Sequence, residues 1–272
     1  MEHHQENCPG NTAQFRQIYE DIMSLEGSYQ PSTIVDDLFS NLVAMAIKTC
    51  PKHDFCDQEV NKIQRASNLA EVELEKHWAR KIIAAADPVE ETEKFPYIGN
   101  YRDLTEMELG ALTSSVGKRI EEPVVFVGGG LPLTAYVLAR DYGISSVVLE
   151  NDEEMIDLAK GFIKKVGVGR VIEIVRTGGE TFERYGRTVI VAALAGVDDE
   201  VKEKIFNIIP KSSTVLARTV EVGSNRELLY RPLPTSTLAS RKVTALIHPR
   251  QTVKYQSVIN SVAIFGGLSN AA

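Results

Sequence analysis

The chain has 272 residues, a formal net charge of −7, and charged and hydrophobic fractions of 25% and 43%, which are ordinary for a soluble globular protein of one large domain or two small ones. No cluster of lysine and arginine stands out, so we expect no nucleic-acid partner. No apolar run approaches the ~20 residues of a membrane span, and residues 1–7 lack the basic and apolar regions of a signal peptide. These features predict a cytoplasmic protein that does not bind a membrane.

The three cysteines are interpreted as free, reduced thiols. They are Cys8, Cys50 and Cys56, an odd number for a set of disulfides. The spacing Cys50-x-x-His53-x-x-Cys56 superficially resembles a metal site. A structural zinc needs four ligands, usually from two separated pairs, and only distant Cys8 could complete this set. We therefore expect no bound metal.

The first 118 residues are predicted to form a helical domain without strands. Apolar residues recur at helical spacing over residues 15–25, where Gly27 stops the pattern, and again over residues 35–43.

A long third helix is predicted over about residues 57–86, with Pro88 ending it. Farther along, Thr105-x-x-Glu108 has the pattern of a capping box, which predicts the start of a short helix. The predicted buried face of the long helix contains Val60, Ile63, Leu69, Val72 and Trp78.

Residues 119–272 are predicted to form an α/β domain. Short apolar runs alternate with helical segments, as expected for strands that are buried on both faces of a parallel sheet. The last two runs have little room for a helix between them, which indicates an antiparallel pair closing the sheet. The pattern predicts a class I methyltransferase-like, Rossmann-type sheet behind an N-terminal helical domain. The runs are 124–127, 146–150, 171–175, 189–193, 215–218, 243–247 and 258–264.

A glycine-rich turn indicates a ligand that contains adenosine. The first apolar run leads directly into Gly128-Gly129-Gly130, and the second run ends at Glu150, 20 positions after Gly130. Glycines let the backbone approach a ligand closely, and a carboxylate at the end of the second strand can accept hydrogen bonds from two ribose hydroxyls.

The spacing of this turn argues against a dinucleotide or a nucleoside triphosphate. Leu133 stands where a dinucleotide motif has its third glycine, and Pro132 precedes it, so the turn is predicted to lack the amides that cradle a pyrophosphate. The chain has no G-x-x-x-x-G-K-[ST] motif. S-adenosylmethionine fits better, because it carries a ribose and no phosphate.

Several motifs, in order along nearly the whole chain, resemble the nicotianamine synthase family. Residues 18–26 and 37–43 also resemble plant members, and ordinary methyltransferases lack the motifs of the helical domain. The motifs are Glu73-Leu74-Glu75-Lys76-His77, Phe95-Pro96-Tyr97-x-x-Asn100-Tyr101, Gly128-x-Gly130-x-Pro132-Leu133-Thr134, Ala192-Ala193-Leu194 and His248-Pro249 with Val258-Ile259-Asn260-Ser261-Val262.

This resemblance implies transfer of the 3-amino-3-carboxypropyl group of S-adenosylmethionine to an α-amino group, with release of 5'-methylthioadenosine. Repeated transfers would build a metal-chelating product, so metallophore biosynthesis is the implied role. A sulfonium activates all three attached carbons, so the protein selects the reaction by the carbon that it exposes. A helical domain over the strand ends could shield the methyl group and present Cγ.

The resemblance also implies catalytic residues in the helical domain. Glu75 matches the family's catalytic glutamate, the base for the acceptor amine, and Tyr101 matches the tyrosine that positions this amine. Tyr97 is expected to line the same pocket. From the residues alone, Glu75 has another interpretation, a solvated helix face shared with Glu71 and Lys76.

Other residues are expected to bind the two substrates. Arg218, at the end of the fifth strand, matches a family arginine and is a candidate clamp for a carboxylate, with a surface salt bridge as the alternative interpretation; Tyr230 is expected to support the same site. Leu194 should face the crevice at the strand ends. The expected residues for S-adenosylmethionine are Gly128, Gly129, Gly130, Pro132, Glu150, Asn151 and Leu194.

One departure from the family concerns adenine. Family members commonly carry Gly-Asp after the third strand, whereas this chain has Thr177-Gly178-Gly179-Glu180-Thr181. Either Glu180 replaces the missing carboxylate or backbone groups recognise adenine.

Two other reactions on the same fold stay open. The α-amino group of S-adenosylmethionine can attack its own Cγ and give azetidine-2-carboxylate with methylthioadenosine, as some relatives of the family do. An ordinary methyltransferase would release S-adenosylhomocysteine instead. We favour condensation with an amino-acid acceptor. The oligomeric state stays open as well, with a homodimer as a candidate.

Overall fold

A computed structural model describes most of the chain between residues 12 and 266. Cys8, Cys50 and the predicted domain boundary at residues 118–119 lie outside the described residues, as does the predicted N-terminal tail. The described ranges are 12–48, 52–117, 120, 123–181, 189–194, 196–249, 254–255 and 257–266.

The regular elements in the described part of the N-terminal segment are helices, which alternate with strands from residue 124 onwards. Side-chain caps fix three of the helix starts: Ser32 Oγ accepts from the backbone N–H of Val35, Asp87 from those of Val89 and Glu90, and Asp152 from that of Met155. Within the described ranges, no helix has both the length and the hydropathy that crossing a bilayer requires. The helices are α1 (Thr12–Ser24), α2 (Thr33–Ala46), α3 (Asp57–Ala84), α4 (Pro88–Glu93), α5 (Ile98–Val116), α6 (Leu133–Tyr142), α7 (Glu153–Lys165), α8 (Asp199–Ile208) and α9 (Thr235–Ser240).

Seven described strands form one sheet in the order β3-β2-β1-β4-β5-β7-β6. Strands β1 to β5 are parallel, and β7 pairs antiparallel with both β5 and β6. This is the predicted class I methyltransferase-like sheet with its closing antiparallel pair, so the predicted fold class is confirmed. The strands are β1 (Val124–Val127), β2 (Ser146–Glu150), β3 (Ile172–Arg176), β4 (Val189–Ala192), β5 (Thr214–Thr219), β6 (Val243–Ile247) and β7 (Ser261–Phe265).

The predicted capping box at Thr105 and Glu108 is wrong. Both residues lie inside α5, where the Thr105 hydroxyl donates to the carbonyl of Tyr101 at 2.6 Å. A threonine can make this bond to the preceding turn within a helix. Glu108 instead forms an ion pair with Arg218, so its side chain makes a tertiary contact and does not cap a helix.

Four details of the predicted elements also differ. Pro88 is the first residue of α4, and α3 has already ended at Ala84. Proline suits the first turn of a helix, because a backbone N–H there would have no partner within the helix. Leu69 is 54% exposed and does not belong to the buried face of α3. The last strand begins at Ser261 instead of residue 258, and β3 is shifted by one residue.

Helix α3 crosses the edge of the sheet at which the parallel strands end. In open α/β sheets this carboxyl edge is where ligands bind, so α3 forms a roof over the expected binding crevice. Its side chains reach successive strand ends: Lys76 bonds Glu154 after β2, Glu75 bonds Leu131 after β1, and Asn68 bonds Gly196 after β4.

The main hydrophobic core is shared between the helical segment and the sheet. Ile82, Phe95 and Met107 from the helices belong to the same buried cluster as Phe126 of β1 and Phe162 of α7. Each segment therefore covers apolar surface of the other. The α/β segment also has a buried cluster of its own, which contains Val125, Ile205 and Phe265.

We predict a single cooperative unfolding transition for the whole chain, because separating the two segments would expose this shared core. Trp78 is the only tryptophan, and it packs edge-to-face on Phe95 at 5.7 Å between ring centroids. Its fluorescence reports the helical segment, and far-UV circular dichroism reports the whole chain. The two thermal transitions should coincide; a lower midpoint for the fluorescence signal would show that the helices unfold independently.

Candidate active site

A cavity of about 770 Å³ lies between the helical roof and the strand ends. Every residue predicted for the site lines this cavity, so the structure brings the whole predicted set together. Which ligand group each residue contacts is a separate question. These residues are Glu75, Tyr97, Tyr101, Gly128, Gly129, Gly130, Pro132, Glu150, Asn151, Leu194, Arg218 and Tyr230.

The glycine turn passes too close to its neighbours to carry side chains. Gly128 has φ +82°, and a Cβ there would lie 2.8 Å from the carbonyl oxygen of Ala193. Gly130 has φ +48°, and a Cβ there would lie 2.5 Å from Oε2 of Glu75. The turn therefore contacts both the end of β4 and the roof helix, which only glycine permits.

Carboxylate oxygens accept hydrogen bonds from the backbone amides of this turn. The N–H of Gly130 donates to Glu150 Oε2 at 2.9 Å, and the N–H of Leu131 donates to Glu75 Oε2, also at 2.9 Å. A bound pyrophosphate would need these same amides. The arrangement agrees with the prediction of an adenosine ligand without a phosphate.

Glu75 is buried at the roof of the cavity, with 7% of its surface exposed. The hydroxyl of Tyr101 donates to its Oε1 at 3.1 Å. Burial, with the nearby Glu71 carboxylate as the second cause, raises the pKa of Glu75 to about 8. The alternative interpretation of a solvated helix face is wrong for Glu75.

Glu71 is a second carboxylate of the site, which the sequence analysis named only in the alternative interpretation of a solvated helix face. It lines the cavity one helical turn before Glu75, and the hydroxyl of Tyr230 lies 3.0 Å from each of its oxygens. Burial raises the pKa of Glu71 as well, against the opposing effects of Tyr230 and Arg218. The four-residue spacing between Glu71 and Glu75 was the available signal, because residues at i and i+4 share a helix face.

Arg218 takes part in a buried ion pair. Its Nε and Nη2 donate to the two oxygens of Glu108 at 2.6 and 3.1 Å, and Nη2 also donates to Thr134 Oγ1 at 2.9 Å. The two charged side chains are 11% and 4% exposed, so the alternative of a surface salt bridge is wrong. Since Glu108 takes the Nε–Nη2 edge, a ligand carboxylate would have to use the Nη1 side.

The unusual Gly179 has a steric explanation. A Cβ at this position would run into the side chain of Val127 and lie 3.0 Å from Cδ1 of Ile205. No aspartate fits there without displacing both neighbours. Glu180 lines the cavity beside it, so the acid nearest the departure from the family is Glu180.

Comparisons with known proteins identify a single family. Residues 11–268 match a family model described as "Nicotianamine synthase protein". The chain is 28% identical to "Probable nicotianamine synthase 4" of Arabidopsis thaliana, over 91% of this chain and 79% of that protein. It is 32% identical to "Nicotianamine synthase 2" of Oryza sativa subsp. indica, over 66% of this chain and 59% of that protein.

Two crystal structures have a similar fold. One is MtNAS in complex with MTA and tNA, with a TM-score of 0.76 and 20% identity over 93% of this chain and 98% of that chain. The other is a mutant of MtNAS in complex with S-adenosylmethionine, with a TM-score of 0.75 and 19% identity over 95% and 99% of the two chains. The likeness covers both the helical segment and the sheet.

The raised pKa of Glu75 predicts a specific dependence of stability on pH. The pKa rises from 4.5 to about 8 on folding, so the folded chain holds a proton that the unfolded chain releases. The stability from this proton is fully present below pH 4.5 and is lost as the pH rises through about 8. Glu75→Gln cannot ionise, so its melting temperature should fall less between these limits than that of the unmodified chain. An equal decrease in melting temperature for the variant and the unmodified chain, measured by circular dichroism without ligand, would contradict the raised pKa.

Proposed function

The chain belongs to the nicotianamine synthase family, and we propose that it transfers the 3-amino-3-carboxypropyl group of S-adenosylmethionine to the α-amino group of an amino-acid acceptor. The by-product is 5'-methylthioadenosine. The observation that carries this proposal is the buried Glu75–Tyr101 pair, which lies directly over the glycine turn inside a cavity of about 770 Å³. The relatives named nicotianamine synthase support the same activity.

The reaction needs a base, and Glu75 is placed to act as one. The acceptor nitrogen forms a bond to Cγ, the bond from Cγ to sulfur breaks, and the electron pair of that bond stays on sulfur. The sulfonium thereby becomes the neutral thioether of methylthioadenosine. The proton of the acceptor ammonium passes to Glu75, and Tyr101 keeps the carboxylate oriented towards the amine.

Donor binding is expected to activate this base. In the free chain the pKa of Glu75 is about 8, so the group is largely protonated at neutral pH. A sulfonium near the glycine turn would be a positive charge close to the carboxylate, and such a charge lowers the pKa of an acid. The site therefore gains its base when the donor is bound.

The donor contacts follow from the elements that end at the cavity. Glu150 and Asn151, at the end of β2, lie where the ribose is expected. Three backbone amides already donate to Glu150, which leaves about one of its four acceptor positions, on Oε2, for a hydroxyl donor. The backbone of Gly128–Gly130 with Pro132 passes the methionine portion. Leu194, at the end of β4, and Glu180 lie on the side expected for adenine.

The acceptor contacts are expected from other residues of the cavity lining. Tyr97 and Tyr230 line the cavity on the roof side. The Nη1 side of Arg218 is the candidate partner for the acceptor's carboxylate, since Glu108 takes the other edge of the guanidinium.

The nucleoside by-product tests the proposed activity. Incubation of the chain with S-adenosylmethionine and a mixture of α-amino acids should yield methylthioadenosine, together with amino-acid products enlarged by aminobutanoyl units. Chromatography identifies the nucleoside and mass spectrometry the amino-acid product. S-adenosylhomocysteine in place of methylthioadenosine would refute the transfer, and azetidine-2-carboxylate as the sole amino-acid product would refute condensation.

Substitutions of Glu75 and Glu150 should separate catalysis from binding. Glu75→Gln should bind S-adenosylmethionine nearly normally and lose about 10²-fold or more in turnover, the usual scale for loss of a general base. Glu150→Ala should instead weaken binding, because the ribose hydroxyls and the turn amides lose their acceptor.

The matched control is Glu73→Gln, on the same helix as Glu75. The Glu73 side chain bonds Gln30, and Glu73 is not among the residues that line the cavity, so both properties should stay unchanged. Calorimetry gives the binding constants, and release of methylthioadenosine gives the turnover. Equal losses of binding in the Glu75 and Glu150 variants would show that Glu75 is not a catalytic base.

A further inference from the structure

The proposed transfer brings two amino groups into one cavity: that of the acceptor and that of the donor itself. If the donor's α-amino group loses its proton and attacks its own Cγ, the same carbon–sulfur bond breaks, a four-membered ring closes and no acceptor is used. An amine attacks only in its unprotonated form. The site must therefore remove a proton from the acceptor amine and leave the donor amine protonated.

The cavity offers two carboxylate–tyrosine pairs for these two amines. The Glu75–Tyr101 pair lies against the glycine turn, and the Glu71–Tyr230 pair lies one turn earlier on α3. Residues at i and i+4 have Cβ atoms about 5–6 Å apart. Both carboxylates line the same cavity, so one substrate complex can reach both.

We propose that Glu71 holds the α-ammonium group of the donor as an ion pair and so decides between condensation and cyclisation, while Glu75 takes the proton from the acceptor. This assignment rests on the proposed function. In the reactive complex the acceptor nitrogen lies about 3–3.5 Å from Cγ, and the donor's own nitrogen is three bonds from Cγ. The two nitrogens are therefore separated by a distance similar to that between two carboxylates one helical turn apart.

Position gives Glu71 a second effect besides charge. Cyclisation requires the donor nitrogen to fold behind Cγ, on the face opposite to sulfur. An ammonium group held at Glu71 keeps the donor chain extended and away from that face, which then stays available to the acceptor.

The contacts of the two carboxylates agree with this division. Glu75 Oε2 accepts the amide of Leu131 at the turn, close to the expected sulfonium. Glu71 shares its two oxygens with a single hydroxyl, that of Tyr230, at equal distances of 3.0 Å. A carboxylate has about four acceptor positions, so Glu71 keeps acceptor capacity for the N–H groups of an ammonium.

The size of the effect follows from electrostatics. An ionised carboxylate within about 4–6 Å favours the charged form of its partner by about 1–3 pKa units. Each unit changes the fraction of unprotonated amine about tenfold at a pH below its pKa. Removing the charge of Glu71 should therefore raise the reactive fraction of the donor amine by about tenfold or more.

The test measures the ratio of cyclised to condensed product for each variant. Glu71→Gln is incubated with isotopically labelled S-adenosylmethionine and a mixture of α-amino acids, and mass spectrometry gives the ratio of azetidine-2-carboxylate to acceptor-containing product. The ratio should rise about tenfold or more. Glu71→Asp keeps the charge and should stay near the original ratio, and Tyr230→Phe should shift it less than Glu71→Gln because the carboxylate remains. Glu73→Gln is the control and should leave the ratio unchanged.

Two results would overturn the assignment. One is an unchanged product ratio in Glu71→Gln while methylthioadenosine is still released. The other is loss of all methylthioadenosine release with intact binding of S-adenosylmethionine, since Glu71 would then be the base. Failure of the proposed function is recognised separately, because it appears in the unsubstituted chain as azetidine-2-carboxylate alone or as S-adenosylhomocysteine.

Discussion

The hydrogen bond from the backbone N–H of Leu131 to Glu75 Oε2 joins the two halves of this molecule at the candidate active site. It fixes a buried carboxylate of the roof helix against the turn that follows the first strand. Burying a carboxylate is unfavourable unless it is hydrogen-bonded, and here Tyr101 and Leu131 supply one donor to each oxygen. The position of α3 over the strand ends and the need for glycine at residue 130 both depend on this contact, which also opposes the rise in the pKa of Glu75 that burial causes.

Several features of the site lower the stability of the fold and provide the charged groups that the proposed reaction needs. Glu71 and Glu75 lie one turn apart with their pKa values raised by burial, and Arg218 with Glu108 adds a buried ion pair nearby. Buried ion pairs contribute little to stability compared with apolar packing. The shared core of Phe95, Phe126 and their neighbours supplies the apolar packing that holds these charges in place.

The sequence predicted the sheet well because strands buried on both faces form continuous apolar runs between glycines and polar turns. The same reasoning brought Glu150 and the glycine turn together, since both lie at strand ends. It failed where a tertiary partner decides a residue's role: Thr105 and Glu108 match a capping box, yet Arg218, distant in sequence, determines the position of Glu108. Glu71 was missed because its four-residue spacing from Glu75, the available signal, does not show whether that helix face is solvated or buried; the hydrogen bond with Tyr230 identifies it as part of the cavity.

The acidic lining of the cavity has a consequence for turnover. Glu71, Glu75, Glu150 and Glu180 face the ligand space, and Arg218 is already neutralised by Glu108. A sulfonium donor favours the ionised form of these carboxylates and is held by their charge, whereas the nucleoside that remains after transfer has a neutral sulfur. The reaction itself removes this attraction, so the spent nucleoside is held less tightly than the donor.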